Sequence, residues 1–259
     1  MNLKSEIISF GKANGASIIG FANTERFVNA PKGHHPNDFL PNAKTVISIG
    51  VRLPSRLVDW EGLMSSSDII PNDDIRWELE SGHWYGRIGY EAMNIRLEQL
   101  GLLVSNYLED KGYSSLTFPA TYAHHAGIMQ KIPGYFAPLS HRHAAVLAGL
   151  GEFGFNNLVI TPEFGPRVRF MSVITSAEIT PDPLQQKPIC LGEDCLACIK
   201  ACGLPKENLH AIKPLDGISR KDGVFLDMPA VVDKTACFTK YNGKARCWGK
   251  CIAACPVGR

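Results

Sequence analysis

Apolar residues recur along this chain at two alternating spacings, one typical of helices and the other of strands. The clearest helical spacing runs from about residue 88 to 110, and Gly112 ends it. Its apolar face carries Met93, Leu97, Leu100, Val104 and Leu108. The same kind of spacing predicts shorter helices at 3–13 and 140–147.

Short apolar runs between these helices predict buried strands. The runs are residues 17–22, 45–51, 116–118, 158–161 and 169–175. Residues 54–84 have no regular spacing, so they are predicted to be irregular, with an acidic turn at 72–74. Strands that alternate with helices predict an α/β (α+β) fold, a mixed sheet flanked by helices.

A proline-rich stretch, Pro181 to Pro188, precedes a region that holds every cysteine of the chain. It predicts two domains, an α/β domain at 1–180 and a cysteine-rich domain at 181–259. The 259 residues are 45% hydrophobic and 20% charged, which is ordinary for a globular protein. No apolar run reaches the ~18 residues of a membrane span, and the start of the chain lacks a signal peptide, so a cytoplasmic protein with no membrane partner is expected.

The eight cysteines form two sets of four. One set is C-x4-C-x2-C-x3-C from Cys190 to Cys202, and the other begins at Cys237 and ends as C-x3-C-x3-C-P. The cysteines are Cys190, Cys195, Cys198, Cys202, Cys237, Cys247, Cys251 and Cys255. Such runs are typical of proteins that hold two [4Fe–4S] clusters, which move single electrons.

In two-cluster ferredoxins the fourth cysteine of each run binds the other cluster. The sequence therefore predicts a ferredoxin-like module in which Cys190, Cys195 and Cys198 share one cluster with Cys255. The second cluster would then be held by Cys202, Cys237, Cys247 and Cys251.

Two departures from the ferredoxin pattern keep other interpretations open. The gap between Cys190 and Cys195 is longer than usual, and Gly203 follows Cys202 where proline is common. Zinc is one alternative, although the C-x3-C-P ending fits its usual paired C-x2-C poorly. Disulfides are another, and they require an oxidising compartment that the sequence does not indicate. The formal charge of +2 would become about −2 with thiolates and clusters, so no basic surface for nucleic acid is expected.

The stretch from Gly149 to Gly154 matches the dinucleotide-binding pattern G-x-G-x-x-G. That pattern indicates a nucleotide site only when it follows a strand and opens a helix. Here it follows a predicted helix and precedes a predicted strand. The glycines are therefore interpreted as positions where the backbone lies close to another group.

Residues 141–169, from HRHAAVLAGLGEFG to ITPEFGPRVR, closely resemble the corrinoid-binding segment of reductive dehalogenases. The order of parts, an α/β domain, a GLG segment and eight cysteines, also resembles that of epoxyqueuosine reductases. The resemblance is strong from about residue 137 onwards. It implies a nitroreductase-like α/β domain that holds cobalamin, with two clusters that supply electrons.

The resemblance implies that the corrin is lined by residues of this segment. The residues that match are Gly149, Leu150, Gly151 and the 161–169 stretch, in which Thr161, Arg167 and Arg169 are polar. Both arginines have a second interpretation, an ion pair with Glu152 or Glu163. FMN is an alternative occupant of the same pocket.

The proton donor is where the chain departs from the epoxyqueuosine reductases. Their aspartate before the GLG segment is matched here by Tyr135, and reductive dehalogenases use a tyrosine as proton donor. Tyr135 is thus a candidate catalytic residue, with core packing as the alternative. Two histidine pairs, at 124–125 and at 141 and 143, are interpreted as capping and surface residues rather than proton donors.

These patterns together predict an iron–sulfur oxidoreductase that reduces a small molecule with electrons from a ferredoxin or flavodoxin. The alternative is an electron-transfer protein, without its own substrate, that reduces a corrinoid or flavin partner. The chain ends four residues after Cys255, so the extension of epoxyqueuosine reductases is absent and tRNA is not expected as a partner. Nitroreductase-like folds often dimerise, which makes a homodimer one expected state.

Overall fold

The computed structural model describes residues 2–64, 70, 73–121, 137–202, 211–218, 223–233, 237 and 249–259. They form two compact units, and each unit is assembled from separate stretches of the chain. The first comprises Met1–Val51, Asn94–Leu150 and Arg169–Gln185, and the second comprises Arg52–Met93, Gly151–Val168 and Gln186–Arg259. The cysteine-rich region thus shares a unit with two earlier stretches, and the domain limits 1–180 and 181–259 stay a prediction.

The described part of the chain contains helices and strands in alternation. The helices are α1 (Leu3–Ala13), α2 (Pro36–Phe39), α3 (Ser55–Val58), α4 (Asp73–Glu80), α5 (Met93–Glu109), α6 (His141–Leu147), α7 (Ala197–Lys200) and α8 (Lys250–Ala253). The strands are β1 (Ile18–Asn23), β2 (Thr45–Arg52), β3 (Ser115–Thr117), β4 (Glu152–Phe153), β5 (Val159–Ile160), β6 (Val168–Thr175), β7 (Ile212–Pro214) and β8 (Ala230–Val232). The predicted α/β fold is confirmed, while its nitroreductase-like and ferredoxin-like details stay predictions.

A four-stranded sheet in the order β1-β2-β6-β3 organises the first unit. β1 pairs with β2 in antiparallel register, Ile18 opposite Gly50, and β3 pairs with β6 in the same sense. β2 is buried along nearly its whole length, which explains why its sequence is a continuous apolar run. The helices α1 and α6 both pack against β1 and close the core of this unit.

The α1 helix shows how local sequence sets a boundary. The Asn2 side chain accepts a hydrogen bond from the Ser5 N–H at 2.9 Å, which satisfies one of the free amides at the helix start. Ile7 and Gly11 are the buried positions. The predicted helix at 3–13 is confirmed.

The prediction of an irregular chain at 54–84 is wrong. Residues 55–58 and 73–80 are α-helical, and a π-helical stretch follows at Ser81–Ala92. Of the acidic turn expected at 72–74, residues 73 and 74 lie in α4 instead, where a carboxylate in the first helical turn is favourable, and residue 72 lies outside the described residues. The π-helix hydrogen-bonds to i+5, so its apolar residues do not recur at the 3.6-residue spacing that identifies an α-helix.

The second unit contains an apolar core and two small strand pairs. Leu53, Val58, Trp60, Tyr85 and Ile252 form the core, and the Trp77 ring meets Trp60 edge-on at 4.7 Å. β4 pairs with β5, and β7 pairs with β8, both antiparallel. Among the described residues, no helix is both long and apolar enough to cross a membrane.

Gly20 on β1 offers a direct test of the packing in the first unit. A methyl group at this position would collide with the Ala148 carbonyl oxygen and the Leu150 side chain. We expect Gly20→Ala to lower the free energy of unfolding by about 1–3 kcal/mol, as overpacked core positions do. Urea unfolding followed by circular dichroism measures this loss.

Gly82→Ala is the matched control, because no described atom outside its own helix backbone and chain neighbours lies within 4 Å of the added methyl group. Alanine in a helix is favoured over glycine by up to about 1 kcal/mol, so this variant should be as stable as the parent or slightly more stable. A Gly20→Ala protein with the parent's urea midpoint would contradict the packing described for β1.

Candidate metal centre

Four thiols from two distant parts of the chain line one recess in the second unit. Cys190, Cys195 and Cys198 come from a single turn-rich segment, and Cys255 comes from the C-terminal end. Gly154, Phe155 and Ile160 provide the apolar wall. We call this the cysteine recess. It brings together the four residues that the sequence assigns to the first cluster, while their role as ligands stays a prediction.

Two residues in the left-handed backbone region curl the segment around the recess. Gly192 has φ +69°, and Leu196 has φ +48° at the start of α7. Glycine adopts this conformation freely, whereas a leucine pays on the order of 1 kcal/mol for it. The bend at Leu196 lies between Cys195 and Cys198, so both thiols can line the same recess.

The fourth thiol is placed by close backbone packing. A Cβ atom on Gly165 would collide with the carbonyl oxygen of Val257, two residues after Cys255. Gly258 meets the backbone of Phe164 in the same way. Because both positions are glycine, the C-terminal segment that follows Cys255 can lie directly against residues 164–165.

The thiols of the recess act on one another electrostatically. Burial raises the pKa of Cys198 to about 12, and the neighbouring Cys190, Cys255 and Cys195 contribute to the rise. Burial likewise raises the pKa of Cys255, while Arg167 opposes the rise. Thiolates gathered in such a place need a compensating cation, and a bound metal deprotonates the thiols that ligate it.

The second predicted set is also brought together as far as the structure describes it. Cys202, Cys237 and Cys251 contact one apolar cluster built on Ala211 and Ile212. Cys247 lies outside the described residues. All seven described cysteines are free thiols. Within the described ranges, no three Cys, His, Asp or Glu side chains converge closely enough to hold a single metal ion.

Glu152 is a buried carboxylate whose role the sequence analysis missed. Its side chain has no exposed surface, and it accepts hydrogen bonds from the amides of Ile189, Cys190 and Phe225. From the sequence, Glu152 is predicted only as a possible ion-pair partner of an arginine. The available signal was a single acidic residue within an apolar, glycine-rich run.

Arg167 is also buried, with 1% of its surface exposed. Its guanidinium donates to the carbonyl oxygens of Ala253, Cys255 and Val257 at 3.0–3.2 Å. Burial lowers the pKa of this guanidinium, while the negative charges of Asp59 and Cys255 raise it. The described contacts of Arg167 are therefore to the C-terminal cysteine run, and its predicted contact with a corrin stays a prediction.

The other residues predicted to line a corrin have partners within the protein. Gly149 ends α6 with φ +73°, because its N–H bonds to the Val146 carbonyl and the Leu150 N–H bonds to the Ala145 carbonyl. This pair of bonds is a Schellman motif, which favours glycine at its left-handed position. Gly151 allows the close approach of the Ile160 carbonyl.

The polar residues of that set are engaged in local hydrogen bonds. The Thr161 hydroxyl donates to the Gly165 carbonyl and accepts from the Phe164 N–H, both at 3.1 Å. The Arg169 Nε donates to the Asn94 side chain at 2.9 Å. Their predicted contacts with a corrin, like those of Gly149, Leu150 and Gly151, stay predictions.

The candidate proton donors divide between described and undescribed parts of the chain. Tyr135 and the histidine pair at 124–125 lie outside the described residues. His143 contacts the Ser140 hydroxyl at the start of α6, at 2.7 Å, so it takes part in capping that helix. His141 lies between the Ser172 hydroxyl and the Pro119 carbonyl, at 2.9 and 2.8 Å.

The sequence is similar to those of two groups of reductases. It is 33% identical over 163 residues to a tetrachloroethene reductive dehalogenase of Desulfitobacterium hafniense. This match covers 55% of this chain and 28% of the relative. It is 26% identical over 222 residues to an epoxyqueuosine reductase of Bacillus cereus, covering 77% and 51% respectively. No family model matches the chain.

Solved structures of the same two groups share the fold. An epoxyqueuosine reductase bound to a tRNA stem loop aligns with a TM-score of 0.57 at 19% identity, over 99% of this chain and 65% of that one. A reductive dehalogenase, whose structure suggests a mechanism for B12-dependent dehalogenation, aligns with a TM-score of 0.60 at 18% identity, over 98% and 31%. The chain resembles both groups of reductases. The resemblance predicted from the sequence is thereby confirmed, although the aligned region spans about half or less of the curated relatives' length.

His141 supplies a test of the first unit's electrostatics. Burial lowers the pKa of His141 from 6.5 to about 4, with a further lowering from the charge of Arg169. Below pH 6.5 the unfolded chain therefore takes up a proton that the folded chain does not. We expect the free energy of unfolding to fall by at most about 2 kcal/mol between pH 7 and pH 5, because solvent still reaches part of the ring.

Urea unfolding at several pH values compares the parent with His141→Gln. The glutamine cannot titrate, so the variant should lack this part of the pH dependence, and the difference between the two proteins removes effects that they share. His83→Gln, at an exposed ring, is the control and should behave as the parent. Identical pH profiles for the parent and His141→Gln would show that the ring is not held neutral.

Proposed function

We propose that this chain is an iron–sulfur oxidoreductase in which the cysteine recess holds one [4Fe–4S] cluster. The observation that carries the proposal is the convergence of Cys190, Cys195, Cys198 and Cys255 on one recess, although 57 positions of sequence separate the third from the fourth. Cys202, Cys237 and Cys251, with Cys247, would hold the second cluster. Such clusters exchange single electrons at low potential.

The residues around the recess fit a metal–sulfur cluster on chemical grounds. Gly154, Phe155 and Ile160 form an apolar wall beside the partly buried thiols. A partly desolvated set of four thiols is costly to ionise alone, and positive iron compensates the charge. The similarity of the chain to two groups of reductases supports an oxidoreductase rather than a zinc-stabilised binding module.

The reduced molecule is proposed only as a class. We infer that electrons from a ferredoxin or flavodoxin pass through the clusters to a small molecule, with cobalamin as a further cofactor. One structurally similar dehalogenase is associated with a B12-dependent reaction, which supports cobalamin here. Tyr135 is the proposed proton donor, and FMN is the alternative cofactor.

A second candidate function is an electron carrier without its own substrate. The observation in its favour is that Gly149, Gly151, Thr161 and Arg167 all make close contacts within the protein. These residues were the ones predicted to line a corrin. An electron carrier would keep both clusters and would not take up cobalamin.

Anaerobic preparation of the full chain, followed by iron, sulfide and zinc analysis and EPR, tests the first step. We expect about eight irons and eight sulfides per chain and low-potential cluster signals after reduction. One or two zinc ions per chain, with no iron bound after reconstitution, would contradict the iron–sulfur proposal.

Titration of the iron-loaded protein with hydroxocobalamin tests the second step. Uptake of about one cobalamin per chain, with a change in its absorbance, is expected for the corrinoid enzyme. Eight irons without cobalamin uptake would contradict the corrinoid part and favour the electron carrier. A yellow chromophore released on denaturation would identify a flavin instead.

A further inference from the structure

Residues 151–168 hydrogen-bond to both Cys190 and Cys255, the first and the last of the four cysteines that line the cysteine recess. The stretch runs through β4 and β5, and its Gly154, Phe155 and Ile160 form the apolar wall of the cysteine recess. Glu152 is the first residue of β4, and Arg167 is the next-to-last residue of the stretch. These are two oppositely charged side chains, and each is at least 99% buried.

Glu152 fixes the backbone at Cys190. One carboxylate oxygen accepts from the Cys190 N–H at 2.7 Å and from the Ile189 N–H, and the other accepts from the Phe225 N–H at 2.9 Å. A carboxylate with three backbone donors is held rigidly, because hydrogen bonds to a charged acceptor are shorter and stronger than neutral ones. The amide of Cys190 is therefore fixed to β4.

Arg167 fixes the backbone around Cys255. Its Nη1 donates to the Val257 carbonyl at 3.0 Å, and its Nη2 donates to the Cys255 carbonyl at 3.1 Å and the Ala253 carbonyl at 3.2 Å. The planar guanidinium fixes three carbonyl directions at once, which a lysine cannot do. Its charge also acts on the Cys255 thiol.

We propose that Glu152 and Arg167 are positioning residues of the first cluster site, which hold Cys190 and Cys255 at the recess and shift the cluster's reduction potential in opposite directions. The inference rests on the proposed function, because it needs a cluster at the recess. It goes further by assigning two residues that are not ligands. Cys190 and Cys255 are 65 positions apart, and this pair of side chains anchors both of them to one segment.

The opposite directions follow from the two charges. Reduction adds an electron to the cluster, so a nearby negative charge disfavours reduction and a nearby positive charge favours it. The carboxylate of Glu152 hydrogen-bonds to the residue that carries one ligand, and the guanidinium of Arg167 does the same at another. Both charges are buried, where solvent screens them less than it would at the surface.

The test uses Glu152→Gln and Arg167→Gln in the full, iron-loaded chain, with midpoint potentials measured by EPR-monitored redox titration. We expect one of the two midpoints to become more positive in Glu152→Gln and the same midpoint to become more negative in Arg167→Gln. A tenfold change in the one-electron equilibrium constant, or 59 mV, is the expected size of each shift.

Glu91→Gln and Arg87→Gln are matched controls that remove the same charges from exposed positions. Their midpoints should differ from the parent by less than a third of the shift expected at the buried sites. Arg167→Lys keeps the charge and loses the fork of hydrogen bonds, so it should retain the parent's midpoint and bind less iron. A role in folding alone would reduce iron content in both glutamine variants without opposite shifts.

Shifts in the same direction, or midpoints that equal the parent's, would overturn the inference. If the glutamine variants carry no cluster, Glu152→Asp and Arg167→Lys decide. Less iron than in the two controls then supports the positioning role, and full iron content in both overturns it. A parent protein that binds no iron would instead refute the proposed function, so the two failures are distinguishable.

Discussion

The proposed metal centre requires thiols that are far apart in the sequence to lie at one recess. Closing the loop from Cys198 to Cys255 costs conformational entropy, and no disulfide among the described cysteines offsets it. The segments that carry these thiols are instead held by backbone amides that donate to the Glu152 carboxylate, by backbone carbonyls that accept from the Arg167 guanidinium, and by the close packing at Gly165. The second unit therefore uses buried polar groups where disulfide-rich proteins use covalent cross-links.

Buried charges are costly unless they are hydrogen-bonded, which explains the three partners of the Glu152 carboxylate and the three of the Arg167 Nη atoms, while the Arg167 Nε has no partner among the described residues. Glu152 accepts from the amides of Cys190, of the residue before it and of Phe225, and Arg167 donates to carbonyls around Cys255. Each of these hydrogen bonds therefore satisfies both a buried charge and a backbone group near the recess that also needs a partner. The result is a scaffold in which local geometry around the ligands does not depend on the metal alone.

Much of the fold follows from the sequence because local patterns determine it. The α1 helix, the buried β2 and β6 strands and the α6 helix were predicted from spacing, and all four are present. The π-helix at Ser81–Ala92 was missed because its i+5 bonding has no familiar apolar repeat. Element existence was easier to predict than the bounds, since helix ends depend on single residues such as Asp73.

The part of the candidate site that could be predicted is the part that the spacing of the cysteines indicates. The cysteine grouping, with Cys255 beside Cys190, could be predicted from the pattern of known two-cluster modules. Glu152 could not, because its partners lie 37 to 73 positions away and are backbone amides, which leave no trace in the sequence. Gly149 carried a local signal, since a glycine just after a helix is typical of a Schellman motif.

Serine variants studied by Mössbauer spectroscopy of the iron-loaded protein test whether the ligands of the two proposed clusters are crossed. Cys195→Ser defines the spectrum of a damaged first cluster, and Cys251→Ser defines that of a damaged second cluster. We expect the spectrum of Cys255→Ser to match that of Cys195→Ser and the spectrum of Cys202→Ser to match that of Cys251→Ser, against the order of the sequence. If Cys255→Ser instead matched Cys251→Ser, its neighbour in the chain, the crossed site and the role given to the recess would both be contradicted.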